Sequence, residues 1–184
     1  MTTAQDMSQS RVQPVIEAER FSLRPLRPSD AGLISHYAGD RRLARATPNI
    51  PHPYPPGAAE AFIARASADD RIEDVWALDS SASGGSEFLG LVVLTPLERA
   101  QTQVRYWVAP AFWNTGLATE ALRALIAANP HDSAQLFAEV FQDNPGSARV
   151  LTNCGFDYLG DAEAFCLARD ANVPTWTYTL KLKR

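Results

Sequence analysis

Cysteine is scarce. Cys154 and Cys166 are the two in 184 residues, too few for a disulfide framework and too few for a structural zinc site. The expectation is a reducing cytoplasm and no metal. Positive charge is also short: 17 Lys and Arg stand against 21 Asp and Glu, for a net charge of −4 and a pI near 5.4. Nucleic-acid backbones select clustered cations, so a nucleic-acid partner is not expected. An acidic surface instead suits cationic amines. No run approaches the roughly 18 apolar residues of a membrane span, so no membrane partner is expected. The first 16 residues are polar and rich in Gln, Ser and Thr without an apolar core. They read as a disordered tail rather than a signal peptide.

What is present is core-forming material. With 46% hydrophobic residues, residues 17–184 fit one domain with a real core. Alternation at residues 21–24 predicts a strand that Pro25 ends, with Ser29 or Asp30 placed to cap a helix over 31–39. Prolines 48, 51, 53, 55 and 56 with Gly57 exclude helix and inner strand, leaving a stiff surface loop. Helix formers return at 58–68, where Ala59, Phe62 and Ile63 make a stripe. Strands are predicted at 74–78, 88–94 and 103–108, with a flexible hairpin loop at 80–86. A helix from Gly116 to about Ala128 carries Leu117, Ala121 and Leu125 on one face and ends at Asn129 and Pro130. A strand at 135–141, a helix at 144–153 with Asn144 as its cap, and strands at 156–158, 165–168 and 175–182 complete the chain. The order predicts a mixed, mostly antiparallel sheet with helices on both faces, α/β or α+β according to the scheme.

Residues 106–121 are the most informative. A strand ending in Trp107 and Val108 breaks at Pro110 into a small-residue turn, Trp113, Asn114, Thr115 and Gly116, and then opens a helix with Leu117, Ala118 and Thr119. Free N–H groups of the first helical turn and the positive end of the helix dipole make an anion site there. Gly116 and Ala118 keep bulk away, so a pyrophosphate can approach the backbone.

This stretch resembles the acyl-CoA-binding signature of the GNAT N-acetyltransferases, Val-x-Pro-x-x-(Arg/Gln)-x-x-Gly-x-(Gly/Ala), met by Val108, Pro110, Gly116 and Ala118. A second, ordered match runs from Asp143 to Phe156 and contains Asn144, Ser147, Arg149, Leu151 and the Gly155-Phe156 ending. With residues 23–31, the resemblance covers roughly residues 17–182 and is nearest to the RimJ/RimL-like, ribosomal-protein acetyltransferase branch. It implies the GNAT architecture, with two parallel central strands splayed around the cofactor. The implied cofactor is acetyl-CoA, held by Trp107, Val108, residues 113–119, Asn144, Ser147 and Arg149.

Acyl transfer to an amine needs a base, a donor for developing oxyanion charge and a proton for the departing thiolate. Glu139 falls where some family members carry their base; an outward-facing glutamate on an alternating strand is the alternative, decided by register. Ser147 matches the position that donates a proton to the sulfur, and Asn144 the position that holds the pantetheine arm. Both residues would also serve as an ordinary helix start. Relatives with a tyrosine acid carry it one turn later, where this chain has Leu151. The oxyanion donor would be a backbone N–H around Trp107 or Val108. Trp107, Phe112 and Trp113 either line the pantetheine channel or fill the core.

Two positions depart from the family pattern. Asn114 stands for a usual Gly and Thr115 for a usual Arg or Lys, which removes one cation from the turn. Asn tolerates a left-handed backbone, so the turn can survive. Arg123 or Arg149 would compensate, or would be solvated helix arginines. The loop at 47–54 resembles a segment framing the acceptor, and its His52 is either a base or an exposed bystander. Cys154 sits at an apolar helix end without an activating partner, which disfavours a nucleophile. The function expected is direct acetyl transfer from acetyl-CoA to a primary amine, a protein N-terminal α-amine or a small molecule. The alternative is a non-catalytic acyl-CoA-binding module, and either a monomer or a homodimer is compatible.

Overall fold

The computed structural model describes residues 12–183. Eight strands form one sheet: β1 (Ile16–Glu17), β2 (Ser22–Pro25), β3 (Asp74–Asp79), β4 (Gly90–Pro96), β5 (Gln101–Val108), β6 (Gln135–Phe141), β7 (Asp157–Cys166) and β8 (Ala171–Lys181). Their spatial order is β1-β2-β3-β4-β5-β6-β8-β7. Every pair is antiparallel except β5 with β6. Five helices cover the faces: α1 (Ala31–Ala38), α2 (Arg41–Ala46), α3 (Ala58–Ser67), α4 (Leu117–Ala128) and α5 (Pro145–Asn153). None of the described helices is long and apolar enough to cross a membrane.

Strand parity divides the core. Trp76 and Leu78 of β3 pack with Leu117, Ala121, Leu122 and Leu125 of α4 on one face. Val75 and Ala77 pack with Ile34 of α1 and Ala59 and Ile63 of α3 on the other. Burial on both faces explains why β3 is covered along its whole length. At the far end of β2, the Arg24 guanidinium is fixed among Asp30 (2.8 and 2.9 Å), Asp79 (2.6 Å) and the Glu87 carbonyl (2.9 Å). Burial alone would lower the guanidinium, but the hydrogen bonds to both carboxylates raise it. Asp30 therefore gives its carboxylate to Arg24 and to the Arg27 N–H instead of capping α1 through its side chain.

The central feature is a parting of strands. Parallel pairing of β5 with β6 is confined to Gln101↔Gln135, Thr102↔Leu136 and Gln103↔Phe137. Beyond it, β5 continues to Val108 beside β4, and β6 to Phe141 beside β8, with a gap between them.

Four expectations change. The predicted strands at 156–158 and 165–168 are one ten-residue strand, β7, with a bulge between Tyr158 and Gly160. As an edge strand with an exposed face it has weak apolar alternation, which hid its continuity. The turn follows at residues 167–170, and β8 starts at Ala171 rather than at 175. The predicted tail at 1–16 lies largely outside the described residues. Within them, the Gln13 amide donates to the Val75 carbonyl (2.7 Å), the Pro14 carbonyl accepts from the Trp76 indole (2.8 Å), and Ile16 pairs with Leu23. The packed chain thus begins before 17. The 80–86 loop contains a 3-10 turn at Ser81–Ser83, tied by Ser80 and Ser86.

Candidate active site

The turn before α4 is built by two left-handed residues, Asn114 (φ 61°) and the N-cap Gly116 (φ 79°). Asn is among the few residues with a side chain that accept this conformation, so the turn closes without the usual glycine. The first helical hydrogen bond is donated by Glu120 to the Gly116 carbonyl. The amides of Leu117, Ala118 and Thr119 are consequently left without helical acceptors. The Leu117 side chain is buried in the core, so this residue offers its main chain only.

A cavity of about 470 Å³ opens above these amides. It is lined by residues 113–119, by Trp107 and Val108 from β5, and by Asn144, Ser147 and Arg149 from α5 and its cap. Every residue expected to contact the cofactor therefore faces one hollow. Thr115 turns its hydroxyl back to the Phe112 carbonyl (2.5 Å). A cation reaches the turn from elsewhere: Arg20, between β1 and β2, donates to the Thr115 carbonyl (3.0 Å) and is paired with Glu120 (2.6 Å). Arg149 is exposed and lines the cavity, whereas Arg123 donates to the Asn153 carbonyl (3.2 Å). The Trp113 indole donates to the Val108 carbonyl (2.7 Å), and the Arg42 guanidinium lies 5.7 Å from its ring.

A second cavity of about 520 Å³ lies on the α1–α3 side of the sheet. It shares Ala46, Thr47, Tyr106, Trp107, Asn144 and Ser147 with the first. The two hollows meet where β5 and β6 part. There the Tyr106 phenol donates to the Ser147 carbonyl (2.9 Å), and the Ser147 hydroxyl donates to the phenol oxygen (3.2 Å). Burial pushes the Tyr106 phenol above its ordinary range, with the Ser147 hydrogen bond opposing. Asn144 accepts from the Ser147 N–H (3.3 Å) and so caps α5 while lining both cavities.

Backbone parity decides which amide faces the gap. The Ala109 N–H donates to the Leu89 carbonyl (2.8 Å), and Leu91 lies opposite Trp107. N–H groups alternate in direction along a strand, so that of Trp107 points to β4 and those of Tyr106 and Val108 point into the opening. Of the two candidate donors, Val108 is the one so directed.

Glu139 lines the second cavity and not the first. Its Oε1 accepts from the Thr175 hydroxyl (2.6 Å), across from β6 to β8. The loop at 48–51 and Tyr54 border the same space, while His52 is exposed and lies outside its lining. Cys154 is half-buried with its thiol raised by burial and directed at the Thr119 carbonyl (3.6 Å), an environment opposed to a nucleophile. No group of His, Cys, Asp and Glu fit to hold a metal ion occurs among the described residues.

Sequence reasoning missed Tyr106, Arg20, Arg65, Glu73, Arg105 and Thr175. One signal was available. Gln101, Gln103 and Arg105 put polar side chains on alternate positions of a central strand, and a central strand with one polar face borders a hollow.

The family model for the acetyltransferase (GNAT) domain matches residues 20–157. Comparison of the sequence with curated proteins gives no match. Solved structures share the fold. The ribosomal-protein-S5-alanine acetyltransferase from Vibrio fischeri superposes with a TM-score of 0.75 at 18% identity, covering 92% of this chain and 97% of its own. RimL, a ribosomal L7/L12 α-N-protein acetyltransferase solved with coenzyme A, gives 0.78 at 14% identity, covering 92% and 98%. The spermidine N-acetyltransferase from Vibrio cholerae, solved with CoA and spermine, gives 0.73 at 16% identity, covering 88% and 95%.

Proposed function

The chain belongs to the GNAT acetyltransferase family, and on that premise we propose that it moves an acetyl group from acetyl-CoA to a primary amine by direct attack. The carrying observation is that a hollow at a helix N-terminus and a second hollow across the sheet meet at one opening, beside Ser147 and Tyr106. The residues present fit a CoA-type ligand: free amides at 117–119, the open Gly116 and an exposed Arg149 suit phosphates. The adjoining gap between β5 and β6 suits a narrow arm. When bound, acetyl-CoA supplies the activated acetyl thioester.

The chain's own groups divide the remaining work. The Val108 N–H, freed by the parting of the strands, is aimed where oxyanion charge develops. Glu139 takes the proton from the acceptor's ammonium group. Its Oε1 is held by Thr175, which leaves Oε2 for this role. An α-amine, with a pKa of about 7.7 to 8.0, asks less of that base than a lysine amine near 10.4. Ser147 holds its proton at Oγ between the two hollows, and Tyr106 fixes the hydroxyl's direction.

The test is a thermal shift with CoA, followed by release of CoA thiol during incubation with acetyl-CoA and a panel of primary amines. A CoA-dependent shift with thiol release on at least one amine supports the reading. A shift without product on any amine supports a binding module instead. Absence of any shift overturns both.

A further inference from the structure

The acceptor hollow has a polarity that narrows what enters it. Its lining carries two cations, Arg65 and Arg105, and two carboxylates, Glu73 and Glu139. Their availability differs. Glu73 is engaged from inside, its Oε2 accepting from Arg105 (2.6 Å) and from Thr95 (3.1 Å). Among the described residues the Arg105 guanidinium makes that one hydrogen bond; its Nε is buried without a partner there, and the side chain is 30% exposed. A guanidinium carries five N–H donors in a planar fork, and most of these are idle. The Arg65 side chain, exposed on α3, makes no hydrogen bond or ion pair among the described residues.

Register places the opposite charges on one face of the sheet. Counting on from Gln103↔Phe137, Arg105 and Glu139 occupy corresponding positions of β5 and β6, on the same face, just where the strands have parted. They make no ion pair with each other. A ligand that carries both an amine and a carboxylate complements these two charges. The lining also carries apolar side chains, among them Ile50, Phe62, Val93 and Trp107, beside the polar Gln103 and Thr175.

We infer that the acceptor is an α-amino acid with an apolar side chain, of the phenylalanine or leucine kind, its amine directed to Glu139 and its carboxylate to Arg105, with Arg65 adding positive potential at the mouth. This rests on the acetyl-transfer reading for the role of the amine, and it deepens that reading. A polyamine is disfavoured, because its further ammonium groups would meet Arg65 and Arg105 and find Glu73 already engaged.

Calorimetry on the full chain saturated with CoA tests it, using L-phenylalanine, L-phenylalaninamide, phenethylamine and spermidine as probes. Native protein is expected to bind phenylalanine about tenfold to hundredfold more tightly than the amide or phenethylamine, the range of a charge-assisted hydrogen bond pair. Arg105→Gln should bring acid and amide within about twofold while the CoA thermal shift is retained. Arg65→Gln, at an exposed site that tolerates change, should reduce the preference by about threefold, as a partly screened charge does. Equal binding of acid and amide, tighter binding of spermidine, or no binding of phenylalanine by the native protein overturns the inference. So does an undiminished preference in both variants. If amines are acetylated without regard to a carboxylate, acetyl transfer stands and this inference fails. If the preference is present and no amine is acetylated, the inference about the ligand stands and acetyl transfer fails.

Discussion

Removing one oxygen atom at the meeting of the two hollows separates positioning from packing. Tyr106→Phe deletes a donor to the Ser147 carbonyl (2.9 Å) and the acceptor of the Ser147 hydroxyl (3.2 Å). Two neutral hydrogen bonds contribute about 0.5 to 1.5 kcal/mol each, so a loss of about 1 to 3 kcal/mol is expected. At roughly 2 to 4 °C per kcal/mol for a chain of this size, Tm should fall by about 2 to 12 °C. The ring and its place on β5 remain, so CoA affinity should stay within about twofold, while kcat falls about tenfold because the hydroxyl is free to rotate. Ser147→Ala should cost a similar factor. If Tyr106 acts through Ser147, the double variant is no worse than either single one, and the cycle shows a coupling of about 1 kcal/mol. Additive losses, or a CoA affinity that falls in step with kcat, would refute the assignment of Tyr106 as a positioning residue.

The same side chain has a pH signature. Burial raises its folded pKa above the ordinary value near 10. A group raised on folding contributes stability that is fully present below the unfolded pKa and lost as pH rises through the folded one. Part of the native decline in Tm above about pH 10 should therefore disappear in Tyr106→Phe. At neutral pH the phenol is a neutral donor in both free and liganded protein. The substitution should consequently leave the pH midpoints of kcat unmoved while lowering its height.

Glu139→Gln should lower turnover by about 10²-fold with the CoA thermal shift unchanged, and an unaltered rate and pH profile would remove Glu139 from the mechanism. Arg24→Met leaves Asp30 and Asp79 buried without their cation, a loss of about 3 to 5 kcal/mol in urea denaturation at pH 7. In the native protein burial pushes the Asp79 carboxyl up, but hydrogen bonds from Ser81 and Arg24 together outweigh it and hold the carboxyl below its ordinary value. Its contribution is thus present above about pH 4 and lost as pH falls through the folded value. The gap between variant and native should narrow as pH falls below about 4, and a pH-independent gap would contradict this account. Gly90→Ala would set a Cβ 2.3 Å from the Trp107 carbonyl oxygen and 2.8 Å from the Val108 Cα. The substitution should cost about 1 to 3 kcal/mol and weaken CoA binding by displacing β5; full retention of both would show that β5 has slack there.

The elements readable from sequence are those whose signals are local. Prolines and Gly57 mark the loop before α3, Asn144 and Pro145 start α5, and the Leu117, Ala121 and Leu125 face identifies α4. Elements defined by distant partners were harder to read. The six-residue α2 is announced only by its Asp40 cap, which accepts from the Arg42 N–H. The middle of β7 is held by β8 through a bulge rather than by apolar alternation. Such a strand exists because a partner supplies hydrogen bonds, and no periodicity within it records that fact.

The site divides along the same line, for a reason that also explains its asymmetry. An anion site at a helix N-terminus is made of consecutive main-chain amides, so one turn of sequence contains most of it, and residues 113–119 converge on one hollow. An acceptor hollow must meet a substrate from several sides. Here Glu73 precedes β3, Arg105 is on β5, Glu139 on β6, Arg65 on α3 and Thr175 on β8. Their convergence depends on the parity of each strand and on where β5 leaves β6. A one-residue slip in β6 would send Glu139 to the α4 face and bring Val140 to the opening. The cofactor half can therefore keep one turn under a fixed chemistry. The second hollow is set by side chains at odd positions of separate strands, and β5 lines both hollows, Arg105 one and Val108 the other.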